Sequence, residues 1–230
     1  MKESNHGLSV LRRPLLFPDR VWRDVEKNEI SRPALAGALL RSVVDGAAVT
    51  KALYGALEER GLGGLYRVVL RTAPGELAGT VNEVLEAVDC GRGVLFHCQK
   101  GKDRTGLVAA ALQVLWGEDE ERIVEEYALS EAALLRDEGL YEAARPARPA
   151  RPAAGKASGK AELDWGKFEG SPPGAMRETL EYMKESSSDG TTQGFLFDCG
   201  VSEELAARFR QTRDRSLCSN PAGPRASKPP

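Results

Sequence analysis

Residues 94–116 constrain the fold more than any other part of the sequence, because an apolar run, a polar loop and a second apolar run follow one another there. The run Val94–His97 has the length and composition of a strand that is buried on both faces. Leu107–Trp116 is typical of a buried helix. A strand–loop–helix passage directs successive backbone N–H groups inward, and the start of the helix adds a partial positive charge. The loop between the two runs is therefore suited to bind a tetrahedral oxyanion such as phosphate.

The rest of the chain alternates between helical and extended patterns, which predicts an α/β fold. The expected elements are a helix over 34–60 interrupted at Asp45–Gly46, a strand at Leu65–Leu70, helices at Glu76–Val88, Leu107–Trp116 and 118–136, a second strand at Val94–His97, a helix at Met176–Lys184, a loop over 186–194 and a last helix from Gly200 to about Thr212. The residues Gly61–Gly64 are expected to end the first helical region.

Composition narrows the function classes. The 230 residues include 32 Lys and Arg against 34 Asp and Glu, so the net charge of −2 argues against nucleic-acid or membrane binding through bulk electrostatics. The four cysteines lack metal-ligand spacing, so no metal site is expected. No apolar stretch reaches the roughly 20 residues of a membrane span, and no signal-peptide pattern is present. A reducing, cytoplasmic location is therefore expected.

One segment departs from globular composition. Residues 144–155 read ARPARPARPAAG, and residues 145–160 carry five basic side chains and no acidic one. Such a segment is typical of a solvated linker. A basic docking arm for an acidic partner or an anionic surface is the alternative. The expected organisation is an irregular segment over 1–31, a domain over 32–213 interrupted by an insert at 144–174, and a disordered tail over 214–230.

Two side chains give the loop its chemistry. Arg104 can hold two phosphate oxygens through its planar guanidinium. The helix start and Arg104 favour the Cys98 thiolate, so the pKa of Cys98 should fall below its usual value of about 8.5. A thiolate directed at phosphorus is a nucleophile for phosphoryl transfer. The alternatives are that Cys98 is a small core residue and that the basic cluster is only a solvated surface.

Two nucleotide-binding motifs can be set aside. A P-loop would need a glycine where Phe96 stands and a hydroxyl residue where Asp103 stands. The Rossmann fingerprint fails because Gly61–Gly63 follows a helix and lacks the third glycine.

The sequence HCQKGKDRTG at His97–Gly106 resembles the active-site loop HCxxGKDRTG of the cysteine-based protein-tyrosine phosphatase superfamily. It is most similar to the tyrosine/serine, dual-specificity-like branch, some members of which also act on phosphoinositides. A weaker resemblance covers residues 65–136 and resumes over Met176–Arg210. The resemblance implies a central, mostly parallel sheet flanked by helices, and the Pro-Ala-Arg segment would then be an insertion.

The resemblance also implies roles in the reaction. Cys98 would attack phosphorus, Arg104 would bind the equatorial oxygens, and Thr105 would hydrogen-bond the sulfur. His97 would act behind the loop to keep Cys98 ionised. Asp103 is the implied general acid, and Asp45, at the predicted helix break, is the alternative.

The remaining loop residues are implied to contact substrate. Lys102, and with it Lys100, would add positive charge for a substrate with more than one phosphate. Gln99 and Gly101 would complete the phosphate-binding loop. No metal and no organic cofactor is implied, because the loop and Arg104 supply the positive charge.

The sequence departs from the family pattern in its first part. Residues 1–64 contain no segment like Asn-Phe-Arg-Asp-Leu-Gly-Gly, and no Trp-Pro-Asp loop occurs. The expected function is hydrolysis of phosphomonoesters, with protein phosphotyrosine as the leading substrate. The alternatives are a phosphoinositide phosphatase and a pseudophosphatase that binds phosphorylated ligands with weak or no turnover.

Overall fold

The computed structural model describes residues 2–5, 8–144 and 161–219, and these residues are mainly helical. Two short strands, β1 (Lys2–Asn5) and β2 (Leu8–Leu11), form an antiparallel pair. The helices are α1 (Pro18–Asn28), α2 (Arg32–Arg41), α3 (Ala48–Thr72), α4 (Pro74–Asp89), α5 (Asp103–Trp116), α6 (Glu120–Ala144), α7 (Pro173–Ser186), α8 (Thr192–Asp198) and α9 (Glu203–Ser219), with a 3-10 helix at Trp165–Phe168.

The predicted α/β fold with a central parallel sheet is wrong. Within the described residues the only strands are β1 and β2, which pair with each other near the start of the chain. Neither of the two predicted strands forms. Leu65–Leu70 belongs to helix α3, and Val94–His97 has no regular secondary structure.

The error at Leu65–Leu70 has a clear physical reason. A short apolar run fits a buried helix as well as a buried strand, because both bury side chains on every face. Helix α3 has two helical parts that meet in a kink at Gly61, where the backbone is non-helical with φ of 60° and ψ of −152°. The first helical region therefore does end at the predicted glycines, and Leu65–Leu70 belongs to the second helical part. Gly63 is buried inside the helix, where a Cβ atom would collide with the Glu178 side chain of α7. Glycine at position 63 therefore allows close packing of α3 against α7.

Val94, Leu95 and His97 are exposed although the composition of the run predicts burial, and Phe96 is only partly buried, packed against the core. Leu95 is 92% exposed and Val94 is 41% exposed. A buried strand needs a neighbouring strand to satisfy its backbone N–H and C=O groups. The segment expected to supply one, Leu65–Leu70, is helical, so in the described chain Val94–His97 lies at the surface between α4 and the loop that precedes α5.

The hydrophobic core lies between helices. Helix α3 packs against α1, α2 and α7, and α5 packs against α4, α6, α8 and α9. Side chains of the second half of α3 and of α5 are buried along most of their length, which fits their central places. The largest fully buried side chains are Tyr66, Lys102, Leu85, Leu115, Ile123, Met176, Leu180, Leu196, Val25, Val68, Val81 and Val124.

A charged network ties α1 to α3. The Arg71 guanidinium donates hydrogen bonds to both carboxylate oxygens of Asp24 and to Glu29. Arg60, just before the kink, contacts the other Glu29 oxygen at 3.2 Å. Because Glu29 contacts arginines on both sides of Gly61, it holds the two parts of α3 in a fixed relation.

Several helices agree with the sequence expectations. The break predicted at Asp45–Gly46 separates α2 from α3, and α4, α5 and α7 occupy the expected places. Helices α6 and α9 form where expected but extend to Ala144 and Ser219, so residues 214–219 of the expected disordered tail are helical. The loop expected over 186–194 ends early, because Thr191 accepts a hydrogen bond from the Gly194 N–H and starts α8. The first 31 residues, expected to be irregular, contain β1, β2 and α1.

Parts of the predicted organisation lie outside the described residues. The basic repeat over 145–160 and residues 220–230 of the expected tail are among them. In the parts that are described, no helix has the length and the apolar character needed to cross a bilayer.

Truncation of Leu95 separates the observed fold from the predicted sheet. Because the side chain is exposed, Leu95→Ala should change the free energy of unfolding by less than about 0.5 kcal/mol. The matched variant Leu85→Ala, at a position only 1% exposed, should cost about 2–5 kcal/mol. Denaturant unfolding followed by circular dichroism measures both. A comparable loss for both variants would mean that Leu95 is buried and would contradict this fold.

Candidate active site

The phosphate loop, which we define as residues 98–105, joins the segment 94–97 to helix α5. Gly101 adopts φ of +68°, a left-handed conformation that side-chain-bearing residues rarely adopt. The loop enters α5 at Asp103, so the first-turn N–H groups of a 14-residue helix lie at its end. These N–H groups and the helix dipole favour negative charge beside them.

The pKa of the Cys98 thiol is set by two opposing effects of this loop. Burial of the half-buried thiol raises the pKa of Cys98, since a thiolate loses solvation there. Hydrogen bonds from the Thr105 hydroxyl and from the backbone N–H groups of Thr105, Lys100 and Lys102 act in the other direction and outweigh burial. The net effect lowers the pKa of Cys98 from 9.0 to about 7. A large fraction of the sulfur is therefore thiolate at neutral pH.

Thr105 holds the cysteine from two sides. Its hydroxyl oxygen accepts a hydrogen bond from the Cys98 backbone N–H at 2.8 Å. The same hydroxyl donates to the Cys98 sulfur. This fits the sequence expectation that Thr105 contacts the sulfur, and it places a hydrogen-bond donor beside the Cys98 sulfur.

Arg104 follows in the first turn of α5 and is partly exposed. Within residues 2–5, 8–144 and 161–219, no hydrogen bond or ion pair engages its guanidinium. A guanidinium next to an anion-binding loop and free of carboxylate partners can accept an incoming oxyanion without first breaking an ion pair.

Lys102 is placed differently from the sequence expectation. Its side chain is only 2% exposed, and its ammonium donates to the carbonyl oxygens of Phe168, at 3.1 Å, and Gly170. It also contacts Asp103 Oδ1 at 3.3 Å. These three contacts use the donors of the ammonium. Lys102 therefore holds the segment that contains the 3-10 helix against the phosphate loop and is not exposed towards substrate.

Asp103 is joined to two tyrosines. The Tyr66 hydroxyl of α3 donates to Asp103 Oδ1 at 2.7 Å, and the Tyr66 and Tyr127 hydroxyls lie 2.7 Å apart. Burial, followed by the negative charge of Asp103, raises the pKa of Tyr66 well above its usual range. Burial likewise raises the pKa of Tyr127, to about 12. Both phenols therefore keep their protons at any physiological pH.

The other predicted loop residues are at the surface. His97, Gln99, Lys100 and Gly101 are exposed. The His97 ring Nδ1 lies 3.1 Å from the Cys98 carbonyl oxygen, so the ring contacts the main chain beside the loop and is not packed behind it. Lys100 is the lysine of the loop that faces solvent.

Asp45, the alternative general acid, has a local structural role. Its carboxylate accepts hydrogen bonds from the Ala47 N–H at 3.0 Å and from the Lys51 ammonium at 2.7 Å, at the start of α3. The hydrogen bond from Lys51 holds the pKa of Asp45 below its usual value. The Asp45 carboxylate is therefore engaged at the start of α3.

The sequence analysis missed the part played by Tyr66 and Tyr127. A signal was present: a tyrosine inside an otherwise apolar run must find a hydrogen-bond partner once buried. Gly106 belongs to the same arrangement, because a Cβ atom there would lie 3.1 Å from the Tyr127 ring. In the described ranges no group of three His, Cys, Asp or Glu side chains is arranged to hold a metal ion.

The titration of Cys98 can be measured directly. The rate of alkylation by iodoacetamide should rise with pH around a midpoint of about 7, because the thiolate is the reactive form. Thr105→Val removes the hydroxyl donor and should move the midpoint upward by roughly one pH unit. Cys98→Ser is the control, and in this variant the rise in alkylation rate near pH 7 should be absent. A midpoint like that of a free thiol in the wild type would refute this description of the loop.

The buried position of Lys102 predicts a structural penalty. Lys102→Met leaves the carbonyl oxygens of Phe168 and Gly170 without this donor and removes one of the two contacts to Asp103 Oδ1. It should lower the free energy of unfolding by about 2–4 kcal/mol. Lys100→Met, two residues away and exposed, should change it by less than about 0.5 kcal/mol. Chemical denaturation compares the two variants. Equal, small effects would show that Lys102 is not held as described.

Comparison with known proteins agrees with the chemistry of this loop. The family model described as "Tyrosine phosphatase family" matches residues 26–212, which is more than half of the chain. No curated protein and no solved structure gave a significant match. The matched region includes the phosphate loop, both tyrosines and the segment bound by Lys102. The chain belongs to the tyrosine phosphatase family.

Proposed function

We propose that this protein hydrolyses phosphomonoesters, with protein phosphotyrosine as its main substrate, through a cysteinyl-phosphate intermediate. Family membership supports a phosphatase activity in general. The observation that carries the finer proposal is the Cys98 sulfur, whose pKa is lowered to about 7 by hydrogen bonds from the loop. A thiolate in a ring of N–H donors has both the nucleophile and the oxyanion site that this reaction needs.

In the first step the Cys98 thiolate attacks phosphorus. The S–P bond forms as the bond between phosphorus and the leaving oxygen breaks, and Asp103 donates its proton to that oxygen. Arg104 and the loop N–H groups bind the non-bridging oxygens, where negative charge is held in the transition state. The products are the free alcohol or phenol and a phosphorylated cysteine.

In the second step water attacks the cysteinyl-phosphate. Asp103, now a carboxylate, accepts a proton from the water as the P–O bond forms and the S–P bond breaks. The hydroxyl of Thr105 donates to the departing sulfur, which eases its release as a thiolate. Inorganic phosphate leaves, and Cys98 and Asp103 return to their starting states.

The placement of the lysines favours a substrate with one phosphate. The sequence argument for a phosphoinositide relied on Lys102 and Lys100 as extra cations. The Lys102 ammonium is engaged by Phe168, Gly170 and Asp103. Lys100 is then the one loop lysine exposed to a second phosphate, which weakens the case for phosphoinositides and favours phosphotyrosine.

A binding protein without turnover is the second candidate. It is favoured by the lack, in residues 1–64, of the Asn-Phe-Arg-Asp-Leu-Gly-Gly segment typical of the family. Such a pseudophosphatase would keep the phosphate loop and hold phosphorylated ligands there. The basic residues over 145–160 would then be a candidate docking arm for an acidic partner.

A substrate panel with one matched variant tests the proposal. Purified protein is assayed on a phosphotyrosine peptide, the same peptide with phosphoserine, and phosphatidylinositol phosphates in vesicles. We expect turnover of the phosphotyrosine peptide at least tenfold above the other substrates in kcat/KM. Cys98→Ser should lose turnover by at least about 10³-fold, because no nucleophile remains, and should still bind the peptide.

The other outcomes identify the alternatives. Preference for the lipid substrates would favour the phosphoinositide phosphatase. Vanadate or phosphate binding without hydrolysis of any substrate would favour the pseudophosphatase. Turnover that survives in Cys98→Ser would remove Cys98 as the nucleophile.

A further inference from the structure

Two consecutive hydrogen bonds connect the hydroxyls of two tyrosines in the protein interior to the Asp103 carboxylate. Tyr66 is 1% exposed, and its hydroxyl donates to Asp103 Oδ1 at 2.7 Å. A phenol has one proton to donate. Since Tyr66 uses it on Asp103, the contact with the Tyr127 hydroxyl at 2.7 Å requires Tyr127 to be the donor. The two protons therefore point in one direction, from Tyr127 to Tyr66 and from Tyr66 to the carboxylate.

These contacts fix one oxygen of Asp103. Oδ1 receives the Tyr66 hydroxyl and also lies 3.3 Å from the Lys102 ammonium. A side chain with two donors on one oxygen has little freedom to rotate. The backbone of Asp103 begins helix α5, directly before Arg104. The carboxyl group is therefore held at a defined place beside the phosphate loop.

We propose that Tyr66 is a positioning residue for the reaction: its hydroxyl fixes Asp103 Oδ1 so that Oδ2 is the atom that transfers the proton to and from the reacting oxygens. This inference rests on the proposed phosphatase activity and on Asp103 as its acid. In the first step the proton passes from Oδ2 to the leaving oxygen, and in the second step Oδ2 accepts a proton from water. Tyr66 keeps its own proton throughout.

Tyr127 orients Tyr66. The two rings meet edge to face, with centroids 6.1 Å apart and planes at 84°. Gly106, in the first turn of α5, lets the Tyr127 ring approach to a distance that a Cβ atom would obstruct. Three elements, α3, α5 and α6, thus meet at one pair of hydroxyls, and the geometry at Asp103 depends on all three.

The test compares leaving groups in Tyr66→Phe. Phenylalanine keeps the ring and its packing and removes the hydroxyl. A poor leaving group needs protonation more than a good one does, so kcat/KM for phenyl phosphate should fall by about tenfold or more and kcat/KM for p-nitrophenyl phosphate by less than about threefold. Tyr54→Phe is the matched control, since Tyr54 lies in the same helix with its ring against Trp22. It should match the wild type on both substrates.

A double variant distinguishes a positioning role of Tyr66 from a general structural effect of losing its hydroxyl. If Tyr66 acts through Asp103, its hydroxyl should matter little once Asp103 can no longer donate a proton. Tyr66→Phe introduced into Asp103→Asn should therefore change kcat/KM for phenyl phosphate by less than about twofold, a non-additive result. If the role of Tyr66 were purely structural, Tyr66→Phe would lower kcat/KM for both substrates by the same factor. Its effect would then add to that of Asp103→Asn.

Each remaining result decides the proposal. Equal losses on the two substrates, additivity with Asp103→Asn, or activity like the wild type in Tyr66→Phe would overturn it while leaving the phosphatase activity in place. If circular dichroism shows that Tyr66→Phe does not fold, Tyr127→Phe is tested instead. Its kcat/KM should also fall more for phenyl phosphate than for p-nitrophenyl phosphate, by a smaller factor than in Tyr66→Phe. A wild-type protein without turnover would instead overturn the proposed function itself.

Discussion

Hydrogen bonds to the Cys98 sulfur are the interaction on which the proposed function of this protein depends. Burial alone would keep the thiol protonated, but the Thr105 hydroxyl and three backbone N–H groups reverse that effect. All of these donors come from the phosphate loop and the first turn of α5. The anion site is therefore local, and it forms beside helices without a central sheet to support it.

The loop is held by contacts from three other parts of the chain. Tyr66 of α3 donates to Asp103 and is itself bonded to Tyr127 of α6, and Lys102 donates to the carbonyl oxygens of Phe168 and Gly170. A buried ammonium and buried phenols are stable only when their donors are used. The groups that fix the loop are therefore also groups whose loss destabilises the fold, which couples the stability of the protein to the geometry of its site.

The local structure of the phosphate loop could be predicted from the sequence more fully than the architecture of the fold. The lowered pKa of Cys98 follows from local spacing, since loop donors and a helix start act over a few residues. The contact with Thr105 was implied by the family resemblance. Lys102 was assigned to substrate because spacing does not report which way a side chain turns. The strand prediction at Leu65–Leu70 was wrong for a related reason. The run is mostly apolar, and whether such a run forms a helix or a strand depends on partners distant in the sequence, which a local pattern does not show.

The most direct test of the account is to look for phosphate on the sulfur. The protein is mixed with a phosphotyrosine peptide, quenched in acid within one turnover and digested, and the peptide that contains Cys98 is analysed by mass spectrometry. The account predicts a phosphorylated Cys98 that appears before free phosphate and decays as phosphate is released. Rapid turnover with Cys98 unmodified at every time, or phosphate attached to another residue, would contradict it.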